Sequence, residues 1–445
     1  MKTSQTKIFL IGLLLLVVLV PGSAQTTDWT LEDCINYALS RNIQVQQAEL
    51  STDRNQLYTE QAKAAMLPSL SGSVRQNFNW NKDIDSQTGE FGSLDGSNST
   101  SYSLTSSMVL FNGMKVNNQL KQSELELQSS RYYSETVKES VELNILNAFL
   151  QVLYAQENVV NAEKQIEATA EQLSLAEERL NLGMVSQSDY LQIKAQLASE
   201  KLTLANANSQ LSIARVSLMQ LMELPVDERF GVSSPGLGQL LNQNLTPDAG
   251  EVYAQALAIK PQIKKAELDK QSAELDEKIA KASLLPSLSL DAGLGTAYSS
   301  GLGGFNYADQ LKNQISPSLG LSLTVPIFQK KQAKTSVSVA QIGIATAELE
   351  EINTKNQLRK EIEQATVDVV AAQSEYEASL EQYQAIDESN QVATEKFHLG
   401  LMNSVDYLFE KTNLIKAESK LLQSKYNLIF TYKILDFYKG IPLTL

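Results

Sequence analysis

The sequence predicts a mainly α chain with a small β portion, built by tandem duplication of one helix-hairpin-helix-helix unit. Three observations predict it. First, Arg179-Leu-Asn-Leu-Gly183-Met-Val-Ser-Gln-Ser-Asp189-Tyr190-Leu191 is echoed by Lys396-Phe-His-Leu-Gly400-Leu-Met-Asn-Ser-Val-Asp406-Tyr407-Leu408, with the glycines 217 residues apart. Each copy is a glycine break between two long helical patterns, followed by a polar start signal for the next helix. Second, the apolar period switches from helical to alternating after Leu-Pro-Ser-Leu at 67–70 and again at 285–288. Third, a helical pattern about 70 residues long runs unbroken from about 112 to 182, spanning on the order of 100 Å.

Taken in order, residues 1–24 read as a secretory signal: Lys2 and Lys7, an apolar run from Ile8 to Val20, then Gly22-Ser23-Ala24. The mature chain is expected to begin at Gln25, with no cysteine there to carry lipid. The first repeat, 25–225, is expected to hold a helix at 30–67, strands at 69–80 and 101–111, the long helix at 112–182 and a shorter one at 187–223. On the strands Leu70, Val74, Phe78 and Trp80 share one parity, while Ser71, Ser73, Arg75 and Asn77 share the other. Residues 81–100, rich in Gly, Ser and Asp, read as a long polar loop between the strands. Residues 226–248 form a linker with little regular structure. The second repeat, 249–445, follows the same plan: helix 249–285, strands 287–298 and 314–327 joined by a Gly-rich loop, long helix 329–399 and helix 404–438.

Ala148, Ala155, Ala162 and Ala176 fall on one seven-residue repeat with Thr169 in the missing step. Ala365, Ala372, Ser379, Ile386 and Ala393 continue it in the second copy. Small residues at heptad spacing predict long antiparallel helices packed closely as a coiled coil. The two short helices of a repeat together match the long one in length, so they are expected to lie end to end beside it.

Composition narrows the function. The chain has 445 residues with one Cys and one His, and 37 basic against 51 acidic residues. Without the two signal lysines the balance is 35 against 51, a net charge of −16 that disfavours nucleic acid. Cys34 has no partner for an internal disulfide. Outside the signal no stretch reaches the roughly 20 apolar residues of a spanning helix. Four strands of about 11 to 13 residues are, however, long enough to cross a bilayer at a tilt. Four cannot close a barrel, and open edges are forbidden in lipid, so several chains would have to pool them. Trp80, Tyr102, Tyr298, Phe305 and Tyr307 near the loops, with Phe111 and Phe328 at the helix ends, would then be interfacial aromatics. The competing expectation is a soluble β-sandwich cap.

With its duplicated unit, Leu-Pro-Ser-Leu strand entries, Val109-Leu-Phe-Asn-Gly113 and Val325-Pro-Ile-Phe328 strand exits and two Gly-x5-Asp turns, the chain resembles the TolC-like outer membrane efflux proteins over essentially its whole mature length. The resemblance implies a homotrimer in which four strands per chain make a 12-stranded outer membrane β-barrel. It also implies that the helices form a hollow periplasmic α-barrel. Its implied partners are outer membrane lipid, a periplasmic adaptor and an inner-membrane transporter of the RND or ABC type, with the chain serving as passive exit duct for efflux or type I secretion. The tip turns Gly183, Met184, Val185, Gly400, Leu401 and Met402 would dock the adaptor. Asp189 and Asp406 would ring a constriction just inside. A second acidic position of the family falls on Phe409, beside Glu410, and its latching Tyr and Arg fall on Phe397 and Met402, so a hydrophobic gate at Phe409 is expected. Helix capping is the simpler role for both aspartates.

No enzyme is expected, and no cofactor or metal. His398 stands without a second His or a Cys to share a metal, and no nucleophile elbow or phosphate loop sits in its required context. The alternative is a trimeric coiled-coil stalk or adhesin without a conduit. Its core would carry large apolar residues throughout, whereas these helices mix Ala, Ser, Gln and Leu.

Overall fold

Thr30 opens the helical chain with a capping box: its hydroxyl accepts the Asp33 amide at 3.1 Å, and the Asp33 carboxylate accepts the Thr30 amide at 3.2 Å. The computed structural model describes residues 28–445 apart from 85–86, 88, 228–229, 234–237, 242–246 and 303; the signal at 1–24 lies outside the described residues. After β1 (Asp28–Trp29), the helix expected at 30–67 is two, α1 (Leu31–Arg41) and α2 (Ile43–Ala64). The break is Asn42, whose side chain accepts the Gln44 amide and donates to the Leu221 carbonyl, both at 2.9 Å, in place of the helical ladder.

The first hairpin is longer than expected. Strands β2 (Ser69–Ile84) and β3 (Phe91–Phe111) pair from Ser69↔Ser107 up to Ile84↔Phe91. Residues 81–100, expected as loop, are therefore mostly ladder. Strand formation here follows backbone pairing with the partner strand rather than the weak propensity of Asn, Ser and Gly.

Helix α3 (Lys115–Asn181) follows, 67 residues long, then α4 (Gln187–Leu221). The linker contains β4 (Gly231–Val232), which pairs parallel with β1, and the short helix α5 (Gly238–Leu241). Trp29 packs edge-on against Tyr37, with ring centroids 5.3 Å apart, and lies 6.1 Å from Phe230.

In the second repeat the helix expected at 249–285 again breaks, into α6 (Ala249–Ile259) and α7 (Pro261–Ala282). Pro261 at the first helical turn forces Lys260 to an extended ψ of 126°. Strand β5 (Ser287–Ser299) leads to a loop that is not wholly irregular: it carries α8 (Tyr307–Asn313), capped by Asn306. Buried Gln310 ties this loop down, accepting the Ser299 amide at 2.9 Å and donating to the Ser299 and Phe305 carbonyls. Strand β6 runs Ser316–Thr324, shorter than the expected 314–327, and stops before Pro326. Helices α9 (Gln332–His398, 67 residues) and α10 (Ser404–Tyr438) complete the chain.

The four long strands form an antiparallel sheet in the order β2-β3-β5-β6, leaving β2 and β6 as its edges. Register separates two faces. Val74↔Tyr102, Met108↔Leu290 and Leu290↔Leu321 align apolar side chains on one; Ser73↔Ser103, Ser107↔Asp291 and Ser289↔Ser322 align small polar ones on the other. Among the described residues no helix is long and apolar enough to cross a membrane.

The chain divides into two compact units. One comprises Gln46–Val137 and Ala256–Glu361, and holds the sheet. There α2 meets α3 through Thr59 to the Ser123 carbonyl, α3 meets α7 through Ser129 and Asp269 at 2.6 Å, and α7 meets α9 through Lys270 and Glu351 at 2.7 Å. The other comprises the residues up to Val45, Lys138–Gln255 and Ile362–Leu445, and holds both glycine turns. In it every heptad position from Ala148 to Ala176 is buried, and so are Ala365, Ala372, Ser379 and Ala393, with Ile386 half-buried. Ser379 meets Ser424 of α10 at 2.6 Å, an approach that only small side chains allow.

Candidate functional site

The two glycine turns end their helices in the same way. Met184 N–H donates to the Arg179 carbonyl at 2.8 Å and Gly183 N–H to Leu180 at 2.9 Å; Leu401 donates to Lys396 at 2.8 Å and Gly400 to Phe397 at 3.1 Å. These are paired 6→1 and 5→2 closures with the glycine left-handed, at φ 72° and 73°. Met184 and Leu401 are 70% and 74% exposed, whereas Val185 and Met402 are half-buried.

Beyond each turn a side chain caps the next helix. Ser186 accepts the Asp189 amide at 3.1 Å, and the Asp189 carboxylate accepts the Ser186 hydroxyl at 2.6 Å. Asn403 accepts the Asp406 amide at 2.9 Å and donates to the Asp406 carboxylate at 2.8 Å. The two aspartates then part company. Buried Ser404, at the start of α10, donates its hydroxyl to the second oxygen of Asp189 and to Gln192 Oε1 at 2.6 Å. Hydrogen bonds from Ser186, then Ser404, hold the Asp189 carboxyl below the usual carboxylate range. Asp406 remains exposed on its local cap.

Behind the turns lies a core shared by both repeats: Ala176, Ile193, Phe397 and Tyr407, flanked by Leu173, Tyr190, Met402 and Leu408. Tyr407 is 1% exposed and stacks on Phe397 at 4.6 Å and 17°. Its hydroxyl accepts from Gln172, and burial pushes its pKa up. Phe397 and Met402, expected to be unable to latch by charge or hydroxyl, are packed here instead. Arg179 closes the end of α9 from outside it, donating to the Phe397 carbonyl at 3.3 Å and the His398 carbonyl at 2.6 Å. Phe409 is not among the residues of this core and is 64% exposed. Glu410 accepts the Ser389 hydroxyl at 3.3 Å.

Further along the same helices sits a polar group that sequence inspection missed. Lys411 of α10 and Glu200 of α4 form a buried ion pair at 3.3 Å, with Thr169 of α3 bonded to both and Gln196 donating to Glu200 at 3.0 Å. Thr169 is fully buried, Glu200 4% and Lys411 6% exposed. Burial pushes the Lys411 ammonium down, against the opposing pull of Glu200. The signal was present: Thr169 is the one polar residue in the alanine heptad of α3.

Of the expected interfacial aromatics, Trp80 is exposed four residues before the end of β2 and stacks on Phe78 at 6.4 Å. Tyr102 bonds the Tyr307 hydroxyl at 2.8 Å, and Tyr298 lies 4.7 Å from the Tyr307 ring. Phe111 and Phe328 are exposed at the two strand exits, and Phe305 in the loop before α8.

A duplicated chain that carries one two-faced four-stranded sheet and two 67-residue helices, each ended by a glycine turn, defines a class of tandem-repeat helix-and-sheet proteins. Residues 34–223 and 252–437 match the family described as outer membrane efflux protein, and the chain belongs to that family. It is thereby a protein of the Gram-negative outer membrane with a large periplasmic portion. It is 22% identical over 430 residues to the outer membrane efflux protein BepC of Brucella suis, covering 94% of this chain and 88% of BepC. To outer membrane protein TolC of Escherichia coli it is 25% identical over 346 residues, 74% of this chain and 67% of TolC. Its fold matches a crystal structure of CusC with a TM-score of 0.80 at 16% identity, covering 94% of this chain and 93% of that one.

Proposed function

We propose that the protein is the passive exit duct of a tripartite efflux or type I secretion system. The carrying observation is the sheet: four strands, both edges unpaired within the chain, one face apolar and the other lined by hydroxyls. In lipid such edges must be closed, and three copies supply twelve strands for a barrel with the apolar face outward. The long helices continue that barrel into the periplasm as a hollow helical cylinder. A non-conducting stalk is the weaker reading, since it gives the hydroxyl face no role.

The exposed apolar turns, Met184 with Gly183 and Val185, and Leu401 with Gly400 and Met402, dock a periplasmic adaptor that links the duct to an inner-membrane transporter of the RND or ABC type. Asp406, Phe409 and Glu410 constrict the bore near these turns. Asp189, tied to Ser404, serves the constriction as a positioning residue. Trp80, Tyr102, Tyr298, Phe111 and Phe328 seat the barrel at the membrane surfaces.

Purified protein in planar bilayers tests the reading. A trimer mass in detergent together with discrete single-channel steps is the expected result; a monomer that never conducts refutes it. Within a conducting trimer, Asp406→Ala is expected to shift the reversal potential in a salt gradient without dissociating the trimer, and an unmoved potential removes Asp406 from the constriction.

A further inference from the structure

Between Ser99 and Phe111 of β3 and the strand segments paired with them, the polar face of the sheet carries charge at only two heights; Asp95, opposite Asn81, shares that face six residues beyond Ser101. Along β2 from Ser69 to Asn77, β3 from Ser99 to Phe111, and all of β5 and β6, the charged side chains are Arg75 and Asp291. The rest of that face is small: Ser71 and Thr105 share a hydrogen bond of 2.8 Å, as do Ser73 and Ser103. Asp291 stands opposite Ser107 on β3 and Gly320 on β6; Arg75 stands opposite Ser101, and Ser101 opposite Ala297. Ser101 and Ser107 have the same parity, so the two charges share the face and lie six residues apart along β3, about 20 Å at strand rise.

Asp291 is held in place. Ser107 donates to Oδ1 at 2.7 Å and Ser289 to Oδ2 at 3.0 Å, which fixes the carboxylate against the sheet four residues from the start of β5. Both donors are hydroxyls, so the charge is oriented but not neutralised.

We propose that Asp291 and Arg75 set the ion selectivity of the β-barrel segment, Asp291 as an acidic ring near the helix junction and Arg75 as a basic ring farther out. This rests on the duct reading, because threefold assembly converts each residue into a ring. Twelve strands spaced ~4.8 Å apart and tilted ~40° enclose a radius of about 12 Å. The Debye length is about 10 Å at 0.1 M salt and about 3 Å at 1 M. Rings on the wall therefore reach the axis in dilute salt and fade in concentrated salt. Between Ser99 and Phe111 of β3 the neighbours on that face are small and uncharged and do not screen them.

The experiment is the reversal potential of the intact trimer in a KCl gradient centred near 0.1 M, for wild type, Asp291→Asn and Arg75→Gln. Asparagine keeps the shape of the Ser107 and Ser289 contacts and removes the charge. The potassium-to-chloride permeability ratio is expected to fall about twofold in Asp291→Asn and to rise in Arg75→Gln, with both shifts lost near 1 M salt. A conducting wild type whose ratio is unchanged by Asp291→Asn overturns the proposal and leaves the duct reading standing. Shifts of the same sign in both variants also overturn it. A wild-type trimer that carries no current overturns the duct reading and this proposal with it.

Discussion

Asp189 and Asp406 occupy the same place in the two copies of one repeat, three residues after a helix cap, and the fold uses them differently. The first turn gives its polar groups to the second copy: Asp189 accepts from Ser404, Arg179 closes the end of α9, and Glu200 pairs with Lys411. The second copy's aspartate keeps its bonds local, with Asp406 held by Asn403. Duplication gave both turns the same backbone; divergence made one a tie between copies and left the other's carboxylate exposed. A tie buried between helices fixes their packing, whereas an exposed cap leaves its carboxylate available to solvent and to a bore.

The deepest tie is the one whose loss should be felt most. Lys411→Met leaves Glu200 buried without its cation, and breaking such a pair costs about 3–5 kcal/mol. The double variant Lys411→Met with Glu200→Leu is expected to recover most of it, because well-packed apolar residues replace buried ion pairs at little net cost. Thermal unfolding followed by the helical circular dichroism signal reads both. A single variant as stable as wild type would remove the pair from the ties that hold the copies together.

Asp189 and Asp406 give the direct contrast. Asp189→Ala removes a cap and charge-assisted bonds to Ser186 and Ser404 and is expected to cost about 2 kcal/mol; Asp406→Ala loses a local cap bond for about 1 kcal/mol. Their pH dependence sharpens this. The folded pKa of Asp189 lies below its ordinary 3.8, so its stabilisation is present above that value and is lost as pH falls through the lowered folded value. Acid unfolding below about pH 4 should therefore show a step that Asp189→Asn abolishes. Equal costs at the two aspartates, or an acid limb unchanged by Asp189→Asn, would erase the asymmetry.

The glycines of the turns are the control in which the copies should agree. An added Cβ at Gly183 or Gly400 meets no atom within 4 Å, so space is not limiting; the penalty comes from φ 72° and 73°. Gly183→Val and Gly400→Val should each cost about 1–2 kcal/mol, the left-handed penalty for a side chain with Cβ. Both should also weaken adaptor capture in a pull-down. A large difference between the two in stability would mean that the turns are not the equivalent closures their hydrogen bonds describe.

How much of this was legible depends on how local each signal is. The glycine turns and the alanine heptad are written in single residues at fixed spacing, and φ or close approach demands those residues. The breaks at Asn42 and Lys260 were missed because the helical pattern continues across them, although Pro261 marks the second. Residues 81–100 read as loop because their ladder depends on register with the partner strand and not on their own composition. Arg179, Ser404 and the Glu200–Lys411 pair were hidden for a different reason. Their partners lie more than 200 residues away, and only the oddity of Thr169 in an alanine stripe pointed toward one of them.

The smallest expected effect tests the duplication at the far ends of α4 and α10. Both close with the same bonds as the glycine turns: Leu224 N–H donates to Met219 at 2.8 Å, and Ile441 N–H to Asp436 at 2.9 Å. Yet the left-handed position is Gly440 in the second copy, at φ 75°, and Glu223 in the first, at φ 54°. A side chain there opposes the conformation that the closure requires, and glycine relieves it. Glu223→Gly is thus expected to stabilise the protein by up to about 1 kcal/mol, and Gly440→Ala to destabilise it by a similar amount. Opposite shifts in melting temperature are the expected reading. If Glu223→Gly destabilises, its side chain makes a contact worth more than the backbone strain, and the two ends have diverged in the way the two aspartates have.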